Sequence, residues 1–198
     1  SDFPERLQAQ GIAAKRLDIA AWGRALDRAV AQRLGVAGPL FRTADSAQFY
    51  LDQEALRASG RSRSEVLGAA AELAKKDPDV LAACAAEELE AMILKSSNPE
   101  GRPYGERLRL SYVPGRSGDL LLAFRPSVML DDPESMANHG HPSDTDRRVP
   151  LIFWGPWKAE RRSEPVRIVD LAPTLARELR IRPAEGVEGR ALELRPRP

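Results

Sequence analysis

The chain has 198 residues and a mass of 21.8 kDa, which is long enough for one or two domains with a hydrophobic core. Thirty basic and 29 acidic residues leave a net charge of +1, which argues against a dedicated nucleic-acid surface or anionic-membrane surface. No apolar run approaches the roughly 18 to 20 residues that cross a bilayer, and the polar opening "SDFPERLQAQ" predicts no signal peptide. The single cysteine, Cys84, excludes an internal disulfide framework.

The first predicted element is a helix from about Asp18 to Leu34. Asp18 can cap it, and its apolar residues recur at helical spacing, while "GVAGP" (35–39) ends it. A strand is predicted around Gln48 to Leu51 in "SAQFYLD", where aromatic residues favour extended structure.

A second helix opens with a capping-box pattern, Ser62 with Glu65, and ends at Asp77-Pro78. Residues 80–85 then predict a short buried strand and residues 87–94 another helix. The high alanine content of this stretch leaves helix throughout as an open alternative.

Two strands forming a hairpin-like pair are predicted next. "RLRLSYV" (107–113) alternates polar and apolar residues, "PGRSG" (114–118) indicates a turn, and "DLLLAFRP" (119–126) is a strongly apolar strand. The middle of the chain therefore predicts an α+β lobe of order β-α-β-α-β-β.

The C-terminal part predicts a piece of a larger α/β sheet. "VPLIFWG" (149–155) is a continuous apolar run, typical of a strand buried on both faces. "VRIVDLAPTLARELRI" (166–181) predicts a short strand that passes into a helix capped by Asp170, with Pro173 tolerated in the first turn.

Both histidines of the chain lie in one polar loop, "NHGHPSDTD" (138–146). His139, His141, Asp144 and Asp146 are residue types that suit zinc, but their spacing does not match a compact zinc motif. Two interpretations stay open at this point: a polar surface loop in which the histidines are incidental, and a split site in which one loop residue joins ligands from elsewhere. The chain has no G-x-S-x-G, G-x-G-x-x-G or P-loop pattern.

This region resembles the C-terminal end of the alkaline phosphatase superfamily, in the branch of bacterial alkaline phosphatases related to type I phosphodiesterases and nucleotide pyrophosphatases. That family typically shows H-G-S-P-Y-D-Y-D, two residues, V-P and an apolar strand ending in glycine, and later D-(I/L)-A-P-T-L-A and G-x-x-L. The matching positions here are His139-Gly140, Pro142, Asp144, Asp146, Val149-Pro150, Gly155, residues 170–176 and residues 189–192. "KRLDIAAWGRALDRAV" and "YVPGRSGDLLLAFRP" also resemble family segments, so the likeness covers nearly the whole chain.

The resemblance implies that His139 is a ligand in a two-zinc site. His141 stands where the family usually has serine and is the weaker candidate, while Asp144 and Asp146 are expected to hold the shape of the loop. The Thr or Ser nucleophile and the other ligands of the family lie upstream of the segments matched here. The resemblance therefore implies the C-terminal fragment of a zinc-dependent phosphohydrolase that is inactive alone, packs against a missing N-terminal part and belongs to a periplasmic or secreted protein.

These expectations divide the chain into three segments: a helical segment of the α/β core (1–37), the α+β lobe (38–130), and the metal-ligand loop with C-terminal core strands and helix (131–198). The substrate class is a phosphate monoester or diester. The alternative to an enzyme function is a non-catalytic binding or scaffold module in which the histidine loop is incidental.

Overall fold

A computed structural model describes residues 4–45, 47–95, 101–130 and 139–197, with only the backbone for residues 43–45. These residues fall into two compact units, unit 1 (Ser1–Arg148) and unit 2 (Val149–Pro198). The helices are α1 (Pro4–Ala9), α2 (Ile19–Leu34), α3 (Gln53–Ser59), α4 (Arg63–Ala74), α5 (Ala86–Ala91), α6 (Tyr104–Ser111), α7 (Asp144–Arg147) and α8 (Leu171–Glu178). The strands are β1 (Lys15–Leu17), β2 (Phe41–Asp45), β3 (Gln48–Leu51), β4 (Val80–Ala85), β5 (Leu120–Phe124) and β6 (Val128–Leu130).

Unit 1 is built on a four-stranded antiparallel sheet of order β2-β3-β5-β4. Strand β5 is buried along its whole length because both of its faces are covered. Leu120, Leu122 and Phe124 face a core formed with α2 and α4, whereas Leu121 and Ala123 face a second core formed with α5 and α6. The predicted α/β fold class is confirmed, and α6 is fixed on one face of the sheet.

The predicted helices that begin at Asp18 and Ser62 and the predicted strands over residues 48–51 and 80–85 are confirmed. Asp18 accepts a hydrogen bond from the Ala21 N–H and caps α2, which ends at Gly35 in the left-handed conformation. The capping box of Ser62 and Glu65 opens α4. Residues 80–85 form β4, so the alternative of helix throughout is wrong.

The predicted strand over 107–113 is wrong, because this segment lies mostly within α6. A strand would place Leu108 and Leu110 on the same face, but Leu108 is only 5% exposed and Leu110 is 56% exposed. Leu108 and Tyr112, four residues apart, pack together against the sheet as a helical turn requires. The predicted hairpin-like pair is therefore also wrong, and β5 pairs with β3 and β4 instead.

A separate parallel pair, β1 with β6, precedes the histidine loop in the chain. The buried Asp79 carboxylate receives Lys15 of β1 and Arg125, which lies three residues before β6. Burial alone would raise the pKa of Asp79, but these two cations hold it below its usual range. The pair is thus joined to the Asp79 side chain, at the start of β4, by ion pairs as well as by the backbone.

Unit 2 differs from the expectation in two places. Residues 149–155 form no strand: the only bridge in the described residues of unit 2 joins Trp157 and Pro196. Ile152 and Trp154 are 78% and 91% exposed, while Leu151 and Phe153 between them are half-buried. The run alternates like a strand, but the described part of unit 2 offers its backbone no neighbouring strand.

The second difference is the short strand predicted before α8, which is a 3-10 turn, Ile168–Asp170. The Asp170 carboxylate does not cap α8; it accepts the Arg167 and Arg190 N–H groups instead. None of the helices in the described ranges is long and apolar enough to cross a membrane. The division into three segments, 1–37, 38–130 and 131–198, stays a prediction.

Candidate metal-ligand loop

The loop of residues 139–148, called the His139 loop below, begins with an exposed imidazole. His139 and Gly140 lie outside any helix or strand, and both are exposed. Gly140 has φ +90°, a conformation that residues with a Cβ rarely adopt. The backbone therefore adopts a left-handed conformation directly after His139.

The loop after Gly140 is held by its own polar side chains. Ser143 is buried and caps the short helix α7 by accepting the Asp146 N–H, and its hydroxyl lies 2.8 Å from that of Thr145. The Asp146 carboxylate accepts the His141 N–H at 3.1 Å. Asp144 pairs with Arg147, and this hydrogen bond, followed by the charge of Arg107, holds the pKa of Asp144 below its usual range. Both aspartates thus fix the shape of the loop.

Helix α6 contacts the loop through Arg107. This side chain is only 7% exposed, and its Nη1 donates to the Pro142 carbonyl at 2.7 Å while Nη2 lies 3.2 Å from Asp144 Oδ1. Its Nε donates to the Arg102 carbonyl at 2.7 Å, and the guanidinium lies over the Tyr104 ring at 4.6 Å. One buried cation therefore joins the helix to two points of the loop.

His141 is directed into the protein rather than outward. Its ring packs edge-on against Tyr104, with centroids 6.2 Å apart, and neither buried ring nitrogen makes a well-directed hydrogen bond within the described residues. Burial lowers the pKa of His141, although the Phe124 backbone and Asp146 act in the opposite direction. The two histidines, separated by one residue in the sequence, therefore have different environments.

The described residues do not form a complete metal site. Among them, no group of three or more His, Cys, Asp or Glu side chains is arranged to hold a metal ion. Cys84 is buried, and burial raises the pKa of its thiol to about 11, so its environment disfavours the thiolate that binds metals. His139 is the exposed histidine of the loop, and a metal bound to it would need further ligands from outside the described residues.

Sequence reasoning missed Tyr104 and Arg107. The prediction of a strand over 107–113 left no helix on which Tyr104 and Arg107 would lie one turn apart. The spacing of Tyr104, Leu108 and Tyr112 could have indicated the helix, because these residues recur at four-residue intervals.

No family model matches the chain. Two curated proteins align with 98% of it: alkaline phosphatase PhoK of a Sphingomonas species, at 34% identity, and alkaline phosphatase PhoD of Zymomonas mobilis, at 33% identity. The chain spans about a third of their lengths, 36% and 35% respectively. A crystal structure of wild-type alkaline phosphatase PafA covers 94% of this chain with a TM-score of 0.77 at 23% identity, and 34% of that protein is matched. The similarity to PafA establishes a shared fold.

Proposed function

Because the chain belongs to the alkaline phosphatase superfamily, we propose that it is the C-terminal part of a zinc-dependent phosphohydrolase in which His139 is a zinc ligand. The substrate is a phosphate monoester or diester, and the nucleophilic Thr or Ser belongs to a preceding N-terminal part against which this chain packs. The relatives support the assignment as a phosphatase. The proposals that the metal is zinc and that His139 binds it are argued from the structure of the His139 loop.

The observation that carries the proposal is the exposure of His139 at the start of a loop that is otherwise fixed. Gly140 is in the left-handed conformation, Ser143 caps α7, and Arg107 joins the loop to α6. A neutral imidazole suits zinc, and a ligand is most effective when a rigid scaffold presents it while solvent and substrate can still enter. His141 lacks this exposure, because its ring nitrogens are buried beside Tyr104.

One imidazole does not hold zinc, since protein zinc sites use three or four ligands. The described residues supply no cluster of three, so the present donor set does not fit a whole site. A zinc pair held by His139 together with ligands from the N-terminal part would supply charge stabilisation for displacement at phosphorus. We therefore expect the 198-residue chain to be catalytically silent until it is joined to the N-terminal part.

The experiment that tests the proposal compares two histidine variants in the protein encoded by the complete reading frame. His139→Ala should lower zinc affinity and kcat/KM by more than the about 10- to 100-fold that loss of an outer partner of a metal ligand costs. His141→Ala is the matched control and should retain most zinc and most activity, because its nitrogens are turned inward. Zinc content by elemental analysis and phosphate-ester hydrolysis measure the two effects.

Two results contradict the proposal. Equal losses in the two variants would overturn the assignment of His139, and full zinc content and rate in His139→Ala would show that the histidine loop is incidental to zinc binding and catalysis. For the 198-residue chain alone, tight stoichiometric zinc in the purified protein would contradict the claim that its site is incomplete.

A further inference from the structure

We propose that Arg107 is the positioning residue of the His139 loop, so that its guanidinium sets where the His139 imidazole is presented. This inference rests on the proposed function of His139 only for its catalytic consequence. The attachment itself is a property of this chain and can be tested without metal.

The Arg107 guanidinium is carried by a helix that is packed firmly on the sheet. Helix α6 packs on the sheet through Leu108 and Tyr112, both buried against β4 and β5. Arg107 precedes Leu108 directly, and its Nε is fixed by the Arg102 carbonyl at 2.7 Å. Contacts within and near α6 therefore orient the two Nη groups of Arg107, called the fork below, toward the loop.

The fork then contacts the loop on both sides of Ser143. Nη1 donates to the Pro142 carbonyl, three residues after His139, and Nη2 pairs with Asp144 at the start of α7. Tyr104, over which the guanidinium lies, packs against the His141 ring. Two side chains of α6 thus hold residues 141, 142 and 144, and only Gly140 separates this held segment from His139.

Loss of the guanidinium should release the loop without unfolding it. Asp144 retains Arg147 as a partner, and Ser143 continues to cap α7, so the internal shape of the loop persists. The Pro142 carbonyl loses the Arg107 donor, so the hydrogen bond that joins this point of the loop to α6 is removed. Lysine cannot replace arginine fully, because a single ammonium group lacks the planar fork that reaches three acceptors.

Amide hydrogen exchange of the metal-free 198-residue chain tests the attachment. In Arg107→Ala, the amides of residues 141–148 should exchange about 10- to 100-fold faster, as loss of charge-assisted hydrogen bonds implies. Arg107→Lys should give a smaller acceleration confined to the same residues. Arg63→Ala is the matched control, because the Arg63 guanidinium likewise joins separate parts of unit 1, here by pairing with the Glu87 and Asp119 carboxylates. It should leave exchange in residues 141–148 unchanged.

Unchanged exchange in residues 141–148 of Arg107→Ala overturns the inference, as does an equal acceleration throughout unit 1. If Arg107→Ala fails to fold, the same criteria apply to Arg107→Lys. Zinc affinity of the complete protein then separates the two proposals. A loosened loop with weakened zinc binding supports both. Unchanged zinc affinity in the Arg107 variant contradicts the positioning of His139 by Arg107 if His139→Ala loses zinc, and contradicts the zinc role of His139 if His139→Ala retains it.

Discussion

Unit 1 and unit 2 are stabilised in different ways. Strand β5 of unit 1 is buried between two layers of helices, and large side chains such as Phe49 and Phe124 are almost inaccessible. The buried residues of unit 2 in the described range are small or polar, Asp170, Thr174 and Ala176, while the large apolar side chains Ile152 and Trp154 are exposed. Apolar burial holds the first unit, and hydrogen bonds hold the second.

The hydrogen bonds of unit 2 converge on Asp170 and Thr174. Asp170 accepts the N–H groups of Arg167 and Arg190, each at 2.9 Å. Thr174 donates to the Asp170 carbonyl and accepts the Leu192 N–H at 2.8 Å. These contacts tie the C-terminal segment to the first turn of α8. They leave an apolar surface that, under the proposal, packs against the N-terminal part of the phosphatase.

The largest expected effect is in the core of unit 1. Phe124→Ala should lower the free energy of unfolding by about 3 to 5 kcal/mol, because it removes a fully buried ring that packs against Trp22 with centroids 5.3 Å apart. Chemical denaturation followed by circular dichroism measures the change. Phe153→Ala, at a half-buried position of unit 2, is the matched control and should cost clearly less. Equal costs would contradict the difference between the two units.

A smaller effect is expected at the polar centre of unit 2. Asp170→Asn should destabilise this unit by about 1.5 to 3 kcal/mol, since an amide can accept at one oxygen only and leaves one of two backbone N–H groups unpaired. Faster amide exchange at Arg167 and Arg190 measures it.

Asp27→Asn is the matched variant in unit 1, because Asp27 is also buried and accepts two backbone N–H groups, those of Leu40 and Phe41. There the apolar core should confine the effect to residues near 40. If exchange accelerates throughout unit 1 in Asp27→Asn but nowhere in unit 2 in Asp170→Asn, the conclusion that unit 2 depends more on its hydrogen bonds is contradicted.

Acid should weaken unit 2 through the same carboxylate. Hydrogen bonds from the Arg167 and Arg190 backbones lower the pKa of Asp170 below its usual value, near 3.9 for an exposed aspartate. A lowered folded-state pKa adds stability that is present above the unfolded value and is lost as pH falls through the folded value. Amide protection in unit 2 should therefore decline below about pH 4 in the wild type. A similar additional decline in Asp170→Asn would show that another group is responsible.

The sequence predictions are accurate where an element depends on contacts between residues close together in the chain, and fail where it depends on distant segments. Asp18 and Gly35 bound α2, and Ser62 and Glu65 open α4, through contacts within one or two turns that a short pattern records. The strand predictions for 107–113 and 149–155 are wrong because both depend on distant partners. The first segment is helical by packing on β4 and β5, and the second has no strand beside it among the described residues.

The candidate site divides in the same way. His139 could be selected because the loop resembles a family motif, and that assignment stays a prediction. Arg107 could not be selected, because its importance lies in contacts with Pro142 and Asp144, 35 and 37 positions along the chain. Contacts over such separations are visible only once the helix and the loop are placed together.

The smallest expected effect is that of Trp154→Gln. This substitution also tests the explanation that the exposed apolar surface of unit 2 packs against the N-terminal part. Trp154 is 91% exposed, so its loss should change the free energy of unfolding of the 198-residue chain by no more than about 0.5 kcal/mol. In the complete phosphatase, the proposal places this surface against the N-terminal part. There the same substitution should lower the melting temperature measurably, because a side chain that is buried only in the whole protein contributes only there. Equally small effects in the two proteins would show that Trp154 faces solvent in both, and would contradict packing through this part of the surface.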